Sequence, residues 1–195
     1  MAKVVTTKAL IQPSVLAATI PVPPKAEMSI KQYIYKNLPG AVTKQVKSDG
    51  ACMRRAVSYI LWQTEGQHRT IGKAVSKYIL DNYEKLEASN EIYYPLTRKL
   101  GGKDIPFYSK EEFQRFLKSE ESLYAWGEGT DLNIMSSLFK VQINVLVSKN
   151  GKLDGGKPIV FGEKFSRKAV LLHNVEEEHY YQLCPQIILT RILHF

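Results

Sequence analysis

The stretch KSDGACMRRAVSYIL, residues 47–61, sets one cysteine, Cys52, two residues after a glycine and at the mouth of an apolar-periodic segment. A thiolate attacks carbonyl carbon well and a thiol poorly, and an ordinary cysteine ionises only near pH ~8.5. A helix N-terminus favours the anion, because its first N–H groups are unpaired and the macrodipole is positive there. Gly50 lets the preceding chain turn sharply, so the N–H groups of Asp49, Gly50 and Cys52 can point at one spot. An oxyanion hole is assembled from main chain in this way. The Asp49 side chain suits the task of fixing such a loop by bonds to nearby backbone. The plainer alternative is a small buried residue on an amphipathic helix, since cysteine is among the most buried residue types.

A nucleophilic cysteine also needs a base. His68 lies in the polar loop TEGQHRT and His194 next to the last residue; His173 closes one strand-like segment and His179 opens another, directly after NVEEE. A strand end facing the nucleophile is the better mount, which favours His173 or His179, and local sequence does not choose between them.

The elements that must hold these groups fall in a simple order. Residues 1–28 contain Pro13, Pro21, Pro23 and Pro24 and read as an extended arm; residues 29–195 form the domain. SIKQYIYKNL is a short helix stopped by Pro39-Gly40, and AVTKQV an extended lead into the cysteine loop. From Cys52, the residues Met53, Ala56, Val57, Ile60 and Leu61 follow helical spacing. One helix is expected from about Thr70 to Leu86. Another opens with a Ser109–Glu112 capping box, and a third runs from Thr130 with Leu132, Met135, Leu138 and Phe139 inward. The period then changes to that of strands in VQINVLVS, IVF, KAVLLHN, HYYQLCP and QIILTRIL. Helices first and strands later imply an α+β fold rather than alternating βαβ units.

Composition narrows the function. No apolar run approaches the ~18 residues of a membrane span, and the N-terminus lacks the compact apolar core of a secretory signal. The net charge of +8 invites a nucleic-acid partner, but residues 1–49 hold seven Lys and two acids and so carry +5 of it. The remainder is close to balance, which argues against nucleic acid. Cys52 and Cys184 are too few for a disulfide scaffold, and with four scattered histidines they give no zinc spacing. Free thiols in a reducing compartment, the cytoplasm, are expected, with no metal and no cofactor.

Three blocks resemble the ovarian-tumour (OTU) family of cysteine proteases, which are deubiquitinases. They are SDGACMRRA, AWGEGTDLNIMSSLFKVQINVLV and AVLLHNVEEEHYYQL, in the family's order and covering roughly residues 40–185. The resemblance implies a papain-like α+β domain, a small central sheet flanked by helices, that hydrolyses the isopeptide bond at the C-terminus of ubiquitin or a ubiquitin-like modifier. It makes Cys52 the nucleophile, His179 the general base, Asp49–Cys52 the oxyanion loop and Trp126 a packing residue near the His-bearing loop.

One departure stands out. Many members carry Asp or Asn two residues after the histidine, to orient its ring; here that position is Tyr181. Asn174, Tyr181 and the upstream Glu27 are the candidates for a third residue, beside a plain Cys–His dyad. The acidic run Glu176, Glu177 and Glu178 is expected to read the basic, glycine-ending tail of ubiquitin. Two alternatives remain: an OTU-like module that binds ubiquitin with little or no hydrolysis, and a papain-like polyprotein-processing protease of viral or effector type.

Overall fold

Ser29 caps the first helix with its side chain, and Gln32 reaches back to close the capping box, so α1 starts at Ile30 and runs to Asn37. The structure, a computed structural model, describes residues 28–92 and 96–184. The expected arm up to residue 27, Glu27 within it, His194 and the segment QIILTRIL lie outside the described residues.

After α1 come β1 (Val42–Lys44), α2 (Cys52–Trp62), α3 (His68–Asp81) and α4 (Tyr83–Ala88). Then follow β2 (Leu96–Leu100), β3 (Lys103–Phe107), α5 (Lys110–Lys118) and α6 (Gly129–Phe139). The last strands are β4 (Gln142–Lys149), β5 (Lys152–Leu153), β6 (Ile159–Phe161), β7 (Lys168–Asn174) and β8 (His179–Cys184). The main sheet has the order β1-β8-β7-β4-β5, with β6 also paired to β4; β4 and β7 are parallel and the other pairs antiparallel.

Side chains alternate across this sheet, so each strand serves two packing layers. Ile143, Val145, Ala169 and Leu171 join Met53, Ala56 and Val57 of α2, and Ile71, Val75 and Ile79 of α3, in the principal core. Leu146 and Leu183, with Val170 and Leu172, face the other way and are covered by Ile30, Tyr33, Ile34 and Leu38. Strands buried on both faces read as near-continuous apolar runs, as VLLH and INVLV do.

Within the described residues the expected elements form, with three differences. The helix expected from Thr70 to Leu86 is two helices. Asn82 breaks it, its backbone and side-chain N–H groups both donating to the Tyr78 carbonyl at 3.0 and 2.9 Å. Ser109 accepts from the Glu112 N–H, but Glu112 bonds the Tyr108 N–H rather than closing the box on Ser109. In α6, Leu138 is exposed and Ile134 takes the buried place, because the helix ends at Phe139 with Lys140 left-handed. The β2–β3 hairpin was not anticipated. Gly101 and Gly102, both at positive φ (57° and 77°), make the two-residue turn that joins it. Among the described residues no helix is long and apolar enough to cross a membrane, and no cluster of metal-ligating side chains occurs.

Candidate active site

Cys52 is the first residue of α2, as its apolar spacing demands, and is 7% exposed. The loop before it is fixed from several sides. A Cβ added to Gly50 would lie 1.6 Å from the Tyr124 carbonyl oxygen, so only glycine fits there. The Asp49 carboxylate accepts from the Ala51 N–H at 3.0 Å and from Arg55 Nε and Nη2 at 3.0 and 2.7 Å. Burial works to raise the Asp49 carboxyl, yet the bonded guanidinium holds it below the ordinary value. Arg55 continues to His68 Nδ1 at 3.3 Å, and that nitrogen is 2.9 Å from the Glu65 carbonyl.

Arg54, also buried, donates through Nη1 to the carbonyls of Ser122, Leu123 and Ala125 at 3.1, 2.9 and 3.2 Å. It thereby ties the start of α2 to the segment that carries Trp126. Below it, Asp131 is 1% exposed, accepts from Arg98 at 2.9 Å and from the Glu128 N–H at 2.8 Å, and so fixes the turn into α6.

Two expectations for this loop change. The thiol is expected to be acidified by the helix terminus; instead burial pushes it up, and the N–H groups of Tyr180 and Met53 only partly oppose that. The expected oxyanion hole of Asp49, Gly50 and Cys52 is mostly occupied from within. The Asp49 N–H donates to the Lys47 carbonyl at 3.1 Å, and the Cys52 N–H to the Asp49 carbonyl at 3.0 Å. The Gly50 N–H donates to none of the described residues and is the donor this loop leaves for a developing oxyanion.

The candidate base, His179, is the first residue of β8, the strand packed against α2, and the N–H of the next residue, Tyr180, favours the Cys52 thiolate. The His179 ring is 4% exposed, and the carbonyl of Val46, in the segment leading into the cysteine loop, lies where it favours the protonated ring. Burial holds its pKa below the usual value, while Glu177, the Val46 carbonyl and the field of Asp49 work the other way. His173 is separated from it by the strand alternation. It pairs with Tyr180 and stacks on that ring, centroids 4.3 Å apart and planes 7° from parallel. His68 lies behind Asp49 as part of the loop's support.

Tyr181 does not replace a carboxylate directly. Its ring meets that of His179 edge-on, centroids 4.6 Å apart at 83°, and its hydroxyl donates to the Glu177 carboxylate. That bond pushes the Tyr181 pKa up to about 12. Asn174 sits on β7 directly opposite His179.

Each carboxylate of the acidic run has a partner. Glu176 accepts from the Asn150 N–H, Glu177 from Tyr181, and Glu178 from Lys99 Nζ at 2.9 Å. Lys99 also lies 4.8 Å over the Trp126 ring, and its carbonyl accepts the Trp126 N–H at 2.8 Å. Trp126, whose Cδ1 approaches Gly50, therefore touches the cysteine side and, through Lys99, the histidine loop. Sequence reasoning missed Val46, Arg54, Arg55 and Lys99. The two arginines had a readable signal: a charged pair inside an apolar-periodic helix must find buried partners.

An α+β fold in which a helix-leading cysteine lies beside the strand that a histidine opens has the build of a papain-like thiol protease. The family model described as OTU-like cysteine protease matches residues 47–182. A curated relative, deubiquitinase OTUD6B of Xenopus laevis, is 29% identical over 129 residues, which make up 66% of this chain and 40% of that protein. Among solved structures, the OTUD1 OTU domain superposes with a TM-score of 0.57 at 19% identity, covering 78% of this chain and 89% of that one. An OTU domain in complex with ubiquitin gives 0.54 at 21% identity, covering 80% and 75%. The chain belongs to the OTU-like cysteine protease family. It spans 40% of the length of the OTUD6B relative that it matches.

Proposed function

We propose that the chain is a deubiquitinating cysteine protease that hydrolyses the isopeptide bond after the C-terminal glycine of ubiquitin. The observation that carries the reading is the meeting of Cys52 with β8. Helix α2, which Cys52 opens, packs against β8, which His179 opens, inside the matched region, and the Tyr180 N–H favours the thiolate. The OTUD6B relative is named a deubiquitinase, and a fold neighbour was solved with ubiquitin, which supports the choice of substrate.

In the free chain the buried thiol and the buried imidazole both favour their neutral forms. Proton transfer from Cys52 to His179 then accompanies attack on the scissile carbonyl. The oxyanion forms beside the Gly50 N–H, and the protonated His179 delivers its proton to the departing lysine amine. Water, deprotonated by the same imidazole, hydrolyses the thioester and restores the thiol. Among the described residues Cys52 is a free thiol, which suits a reducing compartment such as the cytoplasm.

Ubiquitin carrying a C-terminal electrophile tests the reading by intact mass. A covalent adduct is expected from the wild-type chain and none from Cys52→Ala. No wild-type adduct would favour a binding module, and an adduct surviving in Cys52→Ala would overturn the site.

A further inference from the structure

Buried polar side-chain atoms without a partner are rare in folded proteins, and each asks for an explanation. Among the described residues they are Arg54 Nε, His68 Nε2, Asn174 Oδ1, His179 Nε2 and Gln182 Oε1. Only Asn174 and His179 are cross-strand partners in the antiparallel β7–β8 pair. Directly opposite residues project to the same face, with Cβ atoms about 4.5–5.5 Å apart. One orphan is an amide oxygen that can only accept; the other is a ring nitrogen that donates when it carries hydrogen. A side-chain rotation of Asn174 would satisfy both.

We propose that Asn174, supplied by the neighbouring strand, is the residue that positions His179, by accepting a hydrogen bond from its Nε2–H. Tyr181, two residues after the histidine, is then the wall against which the ring is held, and Glu177 fixes that wall through the Tyr181 hydroxyl. Holding the proton on Nε2 presents Nδ1 to the Cys52 thiol, and the Val46 carbonyl favours the ring once Nδ1 has taken that proton. Asn174 touches neither substrate nor sulfur in this scheme; it acts through the ring. Glu178, at φ +49°, makes the sharp return that brings His179 level with Asn174. The inference rests on the reading of His179 as the base of a ubiquitin hydrolase.

The test compares wild type, Asn174→Ala, Asn174→Asp and Tyr181→Phe in two ways. Steady-state hydrolysis of a ubiquitin C-terminal fluorogenic amide should show kcat lowered roughly 10- to 100-fold by Asn174→Ala with KM little changed, the scale seen when a histidine's orienting partner is lost. Asn174→Asp should retain most turnover and move the acid limb of the pH profile upward, because the added carboxylate raises the pKa of the base. Tyr181→Phe should change kcat by less than the alanine variant does. Nitrogen-15 histidine spectra, which need no substrate, should show neutral His179 with its proton on Nε2 in wild type, and a mixture of tautomers in Asn174→Ala. An unchanged kcat and an unchanged tautomer in Asn174→Ala would overturn the inference, as would Tyr181→Phe carrying the loss instead. A wild-type chain that cleaves no ubiquitin would sink the functional reading alone, and the spectra would still decide the role of Asn174.

Discussion

The two halves of the site are built differently. Around Cys52, the loop is held by a carboxylate–guanidinium fork, a glycine pressed against a carbonyl oxygen and an arginine that binds three carbonyls in a row. Around His179, the ring rests on a backbone carbonyl and a tyrosine edge, with Nε2 unpartnered and an unpartnered amide across the sheet. The cysteine is fixed by interactions that cannot be removed cheaply; the histidine is placed by contacts that can be adjusted. A nucleophile loop must hold its geometry throughout, whereas a base has to rotate little but choose its proton position. The difference predicts that damage on the first side appears as lost stability and damage on the second as lost turnover.

The largest effect is expected at Asp131. Asp131→Ala leaves Arg98 with only the more exposed and more distant Glu128 carboxylate, removes the charge that faces the buried Arg54, and should lower the free energy of unfolding by about 3 kcal/mol in urea titrations. Gly50→Ala comes next. Its Cβ would sit 1.6 Å from a main-chain oxygen, so the Tyr124 segment must move, lowering the free energy of unfolding by about 1–3 kcal/mol.

Acid should weaken the fold through its histidines. Burial depresses the pKa of His68, His173 and His179 below their ordinary 6.5, so the unfolded chain binds protons that the folded chain refuses. Stability is therefore complete above that value and declines as pH falls below it, which denaturation at pH 8 and at pH 5.5 will show. The smallest change is at Glu178→Gly. Relief of the left-handed backbone is offset by the freer unfolded chain, the lost bond to Lys99 is part-exposed and weak, and unfolding should shift by less than about 1 kcal/mol. A large loss there would show that the histidine side is as rigidly built as the other and erase the contrast.

Much of this architecture is legible in the amino-acid order. The period of Met53, Ala56 and Val57 places α2, the change of period at Val141 places β4, and DGAC together with the strand start at His179 marks the chemistry. What was hidden depends on distance in space. No local pattern says that the Val46 carbonyl meets a ring 133 residues further along, or that Glu176, Glu177 and Glu178 each find a different partner. The thiol's acidity was misjudged because helix position is visible in sequence and burial is not. The hairpin from Leu96 to Phe107 carried a Gly-Gly turn signal between short strands that alternate weakly, and so went unread.

The most direct measurement is an atomic structure of the covalent adduct between Cys52 and ubiquitin. The account predicts that the Asp49–Arg55 fork and the Gly50–Tyr124 contact stay as they are. Asn174 Oδ1 should come within about 3.2 Å of His179 Nε2. A rearranged cysteine loop together with an Asn174 still unpartnered would contradict it.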